Sequence, residues 1–153
     1  MKMTIVERSP VRVFYLRHTG PLGEPVGKFW RTTVSPWLAD HGLLDCPRFG
    51  VAVDNQMDTP PEKCRYDACV EVPAGLRLPD AEETTIPGGR YAITHFKGTG
   101  AQIGVAWAAF LAACSVSHPA DPRRLPFEHY PRGAAYDVKT GIFACELCMP
   151  VGS

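Results

Sequence analysis

The chain has 153 residues, enough for one domain with an adequate core. Sixteen Lys and Arg residues balance sixteen Asp and Glu, so no basic excess drives counterion release, and direct nucleic-acid contact is excluded as the main role. Nothing at the N-terminus reads as a signal peptide and nothing downstream as a transmembrane span; a cytoplasmic protein without membrane contact is expected, its six cysteines reduced.

Thr4 to Arg17 reads as one strand, apolar on both faces in its later part. A turn with Gly20, Pro21 and Gly23 follows. Val26, Phe29, Trp30, Val34, Trp37 and Leu38 fall at helical spacing. They predict a helix from about Val26 to His41, kinked or split at Pro36, which has no amide to donate, and stopped by Gly42. Arg48 to Asp54 is a short strand and Asn55 to Lys63 a loop. Cys64 to Val72 is the clearest strand: Tyr66, Ala68, Val70 and Val72 share one face, and Arg65, Asp67, Cys69 and Glu71 the other. Pro73 to Gly89 shows no sustained period and reads as the joint between two halves.

Gly89 to Phe96 opens the second half as a strand. A helix from about Ala101 to Cys114 buries Ile103, Trp107, Phe110, Leu111 and Cys114. Ser115 to Leu125 is a loop, Pro126 to Tyr130 a strand, Pro131 to Thr140 a loop, and Gly141 to Val151 the last strand. The halves echo each other at an offset of 77 residues. His18, Gly23, Gly27 and Trp30 fall on His95, Gly100, Gly104 and Trp107, and Tyr66, Val70 and Pro73 fall on Phe143, Leu147 and Pro150. Two copies of a strand-helix-strand-strand unit follow, about 1–78 and 79–153. Neither is large enough to bury a good core alone, so both are expected to share one sheet in a single domain.

Glu128 and Tyr130 stand two apart on a strand and share a face. A carboxylate beside a phenol ring suits a flat organic cation. Glu146 is the second candidate acid, set among Ala144 and Cys148; the matching strand of the first copy carries Asp67 and Glu71 on what reads as a solvated face. The three tryptophans read as core packing, Trp107 being placed to reach a cleft edge. Cys145 and Cys148 lie three apart on a strand and point to opposite faces, which argues against a metal site. No cofactor motif appears, and His18 and His95 read as turn histidines.

With these residues in view, the chain resembles the GyrI-like (gyrase-inhibitor-like) small-molecule-binding family, whose fold also forms effector-binding domains of AraC-type and MerR-type multidrug regulators. The resemblance is carried by RYDACVEVP (Arg65 to Pro73), IPGGRYAITHFKG (Ile86 to Gly98), FEHYPRG (Phe127 to Gly133) and ELCMPV (Glu146 to Val151). It implies an α+β fold: two pseudo-twofold-related β-α-β-β units sharing an antiparallel sheet, helices on one face, and a ligand cleft between the halves. It implies that Glu128 faces that cleft and binds cationic or aromatic ligands, and that Glu146 is the acid of the family's terminal-strand motif. Two residues after that acid, where the family often has an aromatic, stands Cys148. With no room for a helix-turn-helix before the first strand, a stand-alone module is expected.

The leading expectation is a binding protein for hydrophobic, cationic or aromatic small molecules that uses Glu128, Tyr130, Glu146 and Trp107. The first alternative is a hydrolase of strained electrophiles in which Glu128 or Glu146 activates water. The second is a protein-interaction role such as gyrase inhibition. A homodimer, or a protein partner such as gyrase or a regulator, is compatible with the sequence.

Overall fold

The computed structural model describes residues 2–152. In chain order its elements are β1 (Thr4–Arg8), β2 (Val11–Thr19), α1 (Glu24–Phe29), a π-helical turn (Trp30–Val34), α2 (Ser35–Asp40), β3 (Arg48–Ala52), a 3-10 turn (Pro61–Lys63), β4 (Arg65–Glu71), β5 (Glu82–Ile86), β6 (Gly89–Gly98), α3 (Gly100–Ser117), β7 (Phe127–Tyr130) and β8 (Phe143–Pro150). All eight strands form one antiparallel sheet in the order β1-β6-β8-β7-β3-β4-β2-β5. The duplication is realised as expected. β2, the α1–α2 helix, β3 and β4 form one unit; β6, α3, β7 and β8 form the other. They meet where β3 pairs with β7, with Gly50 opposite Glu128.

Two segments differ from their sequence reading. The run from Thr4 to Arg17 breaks at Ser9 and Pro10 into β1 and β2. The supposed joint contains β5, which hydrophobic periodicity could not reveal because only Ile86 of Glu82–Ile86 is buried. Together β1–β2 and β5–β6 make one long ribbon, with Arg8 opposite Gly89 and Val11 opposite Ile86. It bends where Gly88 crosses the other strand. A Cβ on Gly88 would lie 2.8 Å from the Arg8 carbonyl oxygen and 2.8 Å from Pro10 Cδ, so only glycine fits the crossing. The bent ribbon joins both ends of the sheet and curls it.

The first helix is divided near Pro36, as expected, by a π-helical turn (Trp30–Val34) rather than by a loop. Ser35 N–H donates to the Trp30 carbonyl, five residues back, and this wider turn accommodates a residue that lacks an amide. In the second unit, α3 starts at Thr99, whose side chain and that of Gln102 form a capping box.

Three clusters fill the core. Phe14, Val34, Leu38, Tyr66 and Val70 pack under the first helix; Ala92, Phe110, Cys114, Cys145 and Leu147 pack under α3. Val13, Phe49, Cys69, Tyr91, Phe127 and Cys148 fill the curl of the opposite face. Leu111, expected in the buried stripe, is 38% exposed, because α3 meets the sheet only along Ile103, Ala106, Trp107, Phe110 and Cys114. Contrary to the sequence reading, the uncharged α3 has the length and composition of a bilayer-crossing helix; here it lies on the sheet. Asp67 is also not solvated: it is buried and accepts from Arg17 Nε and Nη2 at 2.7 and 3.0 Å.

A second buried acid anchors the segment after α3. Asp121 accepts from Arg123 Nε and Arg124 Nε, each at 3.0 Å, and Arg124 also donates to the Arg90 and Val151 carbonyls at 3.2 and 3.0 Å. Hydrogen bonds from Arg123 and then Arg124 hold the Asp121 carboxyl far below its usual range. A carboxyl whose folded pKa lies below its unfolded value, about 3.9, stabilises fully above that value and loses its contribution as pH falls. Asp121→Asn is therefore expected to lower Tm at pH 7 and to flatten the decline of Tm between about pH 4 and pH 2. Thermal melts across that range check this; an acid slope equal to wild type would show that other carboxyls carry it.

Candidate ligand-binding site

Strand alternation turns Phe127 and His129 into the curl of the sheet and Glu128 and Tyr130 towards the helices. Glu128 is partly buried. Its Oε1 accepts from the Tyr66 hydroxyl at 2.8 Å and the Tyr130 hydroxyl at 3.1 Å, and its Oε2 accepts from Trp107 Nε1 at 3.1 Å. Trp30 Nε1 donates to the Tyr66 hydroxyl at 3.1 Å. The rings enclose the acid: Trp30 lies 5.6 Å from Tyr130 and edge-on to Tyr66 at 6.4 Å, and Phe143 stands 6.0 Å behind Tyr130.

This convergence follows from the duplication. Trp30 and Trp107 are equivalent residues of the two units, so each helix supplies one indole at the junction. Gly50 faces Glu128 across the β3–β7 pair. A Cβ there would lie 1.8 Å from the Tyr66 hydroxyl oxygen and 2.7 Å from Glu128 Oε1. The strand opposite the acid therefore carries a glycine, which leaves room for the Tyr66 hydroxyl and the carboxylate.

Among the described residues no Lys, Arg or His forms an ion pair with Glu128. Burial pushes its carboxyl above the usual range, against the three donors that favour the charged form. Burial, and then the neighbouring Glu128 charge, push the Tyr66 and Tyr130 phenols well above theirs. Both phenols thus remain donors at neutral pH.

Of the residues singled out from sequence, Glu128, Tyr130 and Trp107 come together and Glu146 does not join them. The β7–β8 register sets Glu128 opposite Leu147 and His129 opposite Glu146, so the two acids point to opposite faces. Glu146 accepts from His129 Nδ1 at 2.7 Å, and the imidazole stacks on Phe49 at 4.8 Å. Cys145 packs on the Glu128 side and Cys148 on the other; burial pushes the Cys148 thiol up to about 12. Cys148 is thus not a wall of the Glu128 cage. Trp30, Tyr66 and Phe143, read from sequence only as packing residues, supply walls instead. The signal for them was present in the repeat, which pairs Trp30 with Trp107 and Tyr66 with Phe143. His18 Nε2 donates to the Pro21 carbonyl at 3.1 Å, as a turn histidine would, whereas His95 is exposed.

Two open depressions run along β6 and β8. One, of about 480 Å³, is lined by Thr94, His95, Ala106 and Leu147 among others; the second, of about 310 Å³, by Phe96, Cys145 and Glu146 among others. Neither is lined by Glu128. Glu128 and the rings of Trp30, Trp107 and Tyr130 around it are each partly exposed.

Fold and site together define a duplicated module: two helices lie over a shared curled sheet, with one acid at their junction. The chain belongs to the family of the GyrI-like small molecule binding domain, whose pattern matches residues 1–152. It is similar to "DNA gyrase inhibitor 1" of Dickeya dadantii (strain 3937), 32% identical over 120 residues that cover 75% of this chain and 76% of that protein. Among solved structures, SAV2435 bound to tetraphenylphosphonium matches with a TM-score of 0.70 at 14% identity, covering 100% of this chain and 95% of that one. The EcmrR C-terminal domain matches with a TM-score of 0.71 at 12% identity, covering 99% and 98%. At these identities the two structures speak for the fold alone.

Proposed function

We propose that the chain binds hydrophobic, delocalised organic cations, with Glu128 as the counter-charge and Trp30, Tyr66, Tyr130 and Trp107 as the walls. One observation carries this reading: a partly buried carboxylate with three hydrogen-bond donors, aromatic walls and no cationic partner among the described residues. A cation that enters the cage replaces the missing counter-charge, and indole and phenol faces attract it further. The tetraphenylphosphonium bound by SAV2435 has this chemistry, which supports the choice of probe.

Titration with tetraphenylphosphonium, read by the fluorescence of Trp30 and Trp107, tests the reading. Glu128→Gln is expected to weaken binding roughly tenfold or more, because a charge-assisted contact is lost while the shape is kept. Cation binding requires the ionised acid, so affinity is expected to fall as pH drops through the raised pKa of Glu128. Equal affinity of wild type and the Gln variant would sink the reading. A second reading, action on gyrase, is favoured by the name DNA gyrase inhibitor, which the similar Dickeya protein and several other relatives carry. In a supercoiling assay it predicts inhibition that survives Glu128→Gln.

A further inference from the structure

The ligand cage has an arginine at its margin that the cation reading leaves unused. Arg48 lies two residues before Gly50 on β3 and shares its face; across the strand pair it stands opposite Tyr130, diagonal to Glu128. Diagonal neighbours on one face are roughly 7–8 Å apart at the backbone. The Arg48 guanidinium carbon lies 5.7 Å from the centroid of the Tyr130 ring, whose hydroxyl is bonded to Glu128. One phenol thus links the acid at one end to the guanidinium over its ring.

Arg48 is also the exception in the charge pattern. Nine of the eleven arginines in the chain have a carboxylate oxygen within 4.0 Å, leaving only Arg8 and Arg48 without one among the described residues. Arg8 lies outside the cage, over Phe49 and Phe127 in the curl of the sheet. Asp45, close in sequence, pairs with Arg132 instead. Arg48 Nε is the one buried side-chain nitrogen or oxygen without a hydrogen-bond partner among the described residues. A guanidinium withdrawn from water gains strongly from a bidentate anion, and its planar fork fits a carboxylate.

We propose that Arg48 is an anion subsite of the Glu128 cage. The preferred ligands are then zwitterions: a delocalised cation against Glu128 and, about one ring away, a carboxylate or similar oxyanion on Arg48. This inference rests on the cation reading above and narrows it. It also assigns Arg48 a role beyond stacking on Tyr130, since stacking alone would not distinguish a ligand's acid from its ester.

Two dyes with the same xanthylium cation make the test: rhodamine 110, with a free carboxylate, and rhodamine 123, its methyl ester. Fluorescence anisotropy gives their affinities for wild type, Arg48→Gln, Arg48→Lys and Glu128→Gln, with a thermal melt of each variant. Wild type is expected to bind the acid roughly tenfold more tightly than the ester. Arg48→Gln should remove that preference while leaving ester affinity near wild type. Arg48→Lys, which keeps charge but loses the fork, should retain part of the preference, and it stands in if the Gln variant fails to fold. Glu128→Gln should weaken both dyes. Equal binding of acid and ester by wild type, or a preference that persists in Arg48→Gln, overturns the anion subsite alone. Failure of both dyes to bind wild type overturns the cation reading and this inference with it.

Discussion

Gly50→Ala is expected to lose about 1–3 kcal/mol of stability and to bind tetraphenylphosphonium more weakly than wild type. The added methyl would fall 1.8 Å from the Tyr66 hydroxyl oxygen and 2.7 Å from Glu128 Oε1. Tyr66 is only 4% exposed and is held by Trp30 and Glu128, so its ring has no free path outward. Relief comes from displacing the hydroxyl, which costs Glu128 a donor and opens the contact to Trp30. Gly104→Ala is the control. It lies within α3 with nothing inside 4 Å of its Cβ position, and removing a helical glycine should stabilise by about 0.5–1 kcal/mol. Urea unfolding and the cation titration read both variants. A stable, fully binding Gly50→Ala protein would mean that the acid does not stand where the β3–β7 register puts it.

Phe110→Ala is expected to cost about 3–5 kcal/mol, the range for truncating a fully buried aromatic, while Leu111→Ala costs under about 1 kcal/mol. Phe110 is 0% exposed in the core under α3, and Leu111 is 38% exposed. The neighbouring positions look alike in sequence and differ only in how the helix is rotated on the sheet. The Phe110 ring also lies 6.1 Å from Trp107 and backs the indole that donates to Glu128. Its removal should therefore shift the emission of Trp107 as well as the unfolding midpoint. Equal costs for the two variants would place α3 at a different rotation.

Local pattern makes much of this protein legible in the chain. The alternation in Cys64 to Val72 and the helical spacing from Val26 to Leu38 identify β4 and the first helix, because the apolar positions repeat where helix and strand meet, although β4 proves buried on both faces. The offset of 77 residues reveals the duplication, because two copies of one unit keep equivalent residues at equivalent turns. Glu128 and Tyr130 sharing a face is likewise a property of the strand itself. Periodicity could not reveal β5, because EETTI buries only Ile86 and is held by backbone pairing to β2. Nor could it set the rotation of α3, whose uncharged sequence offers no polar face to exclude Leu111.

The site shows the same division. The acid, its phenol neighbour and the repeat that makes Trp30 and Trp107 equivalent can all be read from the chain. Folding is what brings both indoles and Tyr66 together around that acid, lets Gly50 make room for it, and turns Glu146 away to His129. The reason is physical: periodicity assigns a side chain to a face of its own element. Which faces meet depends on strand register between segments far apart in the chain, and shifting that register by one residue sends every side chain of a strand to the other side of the sheet.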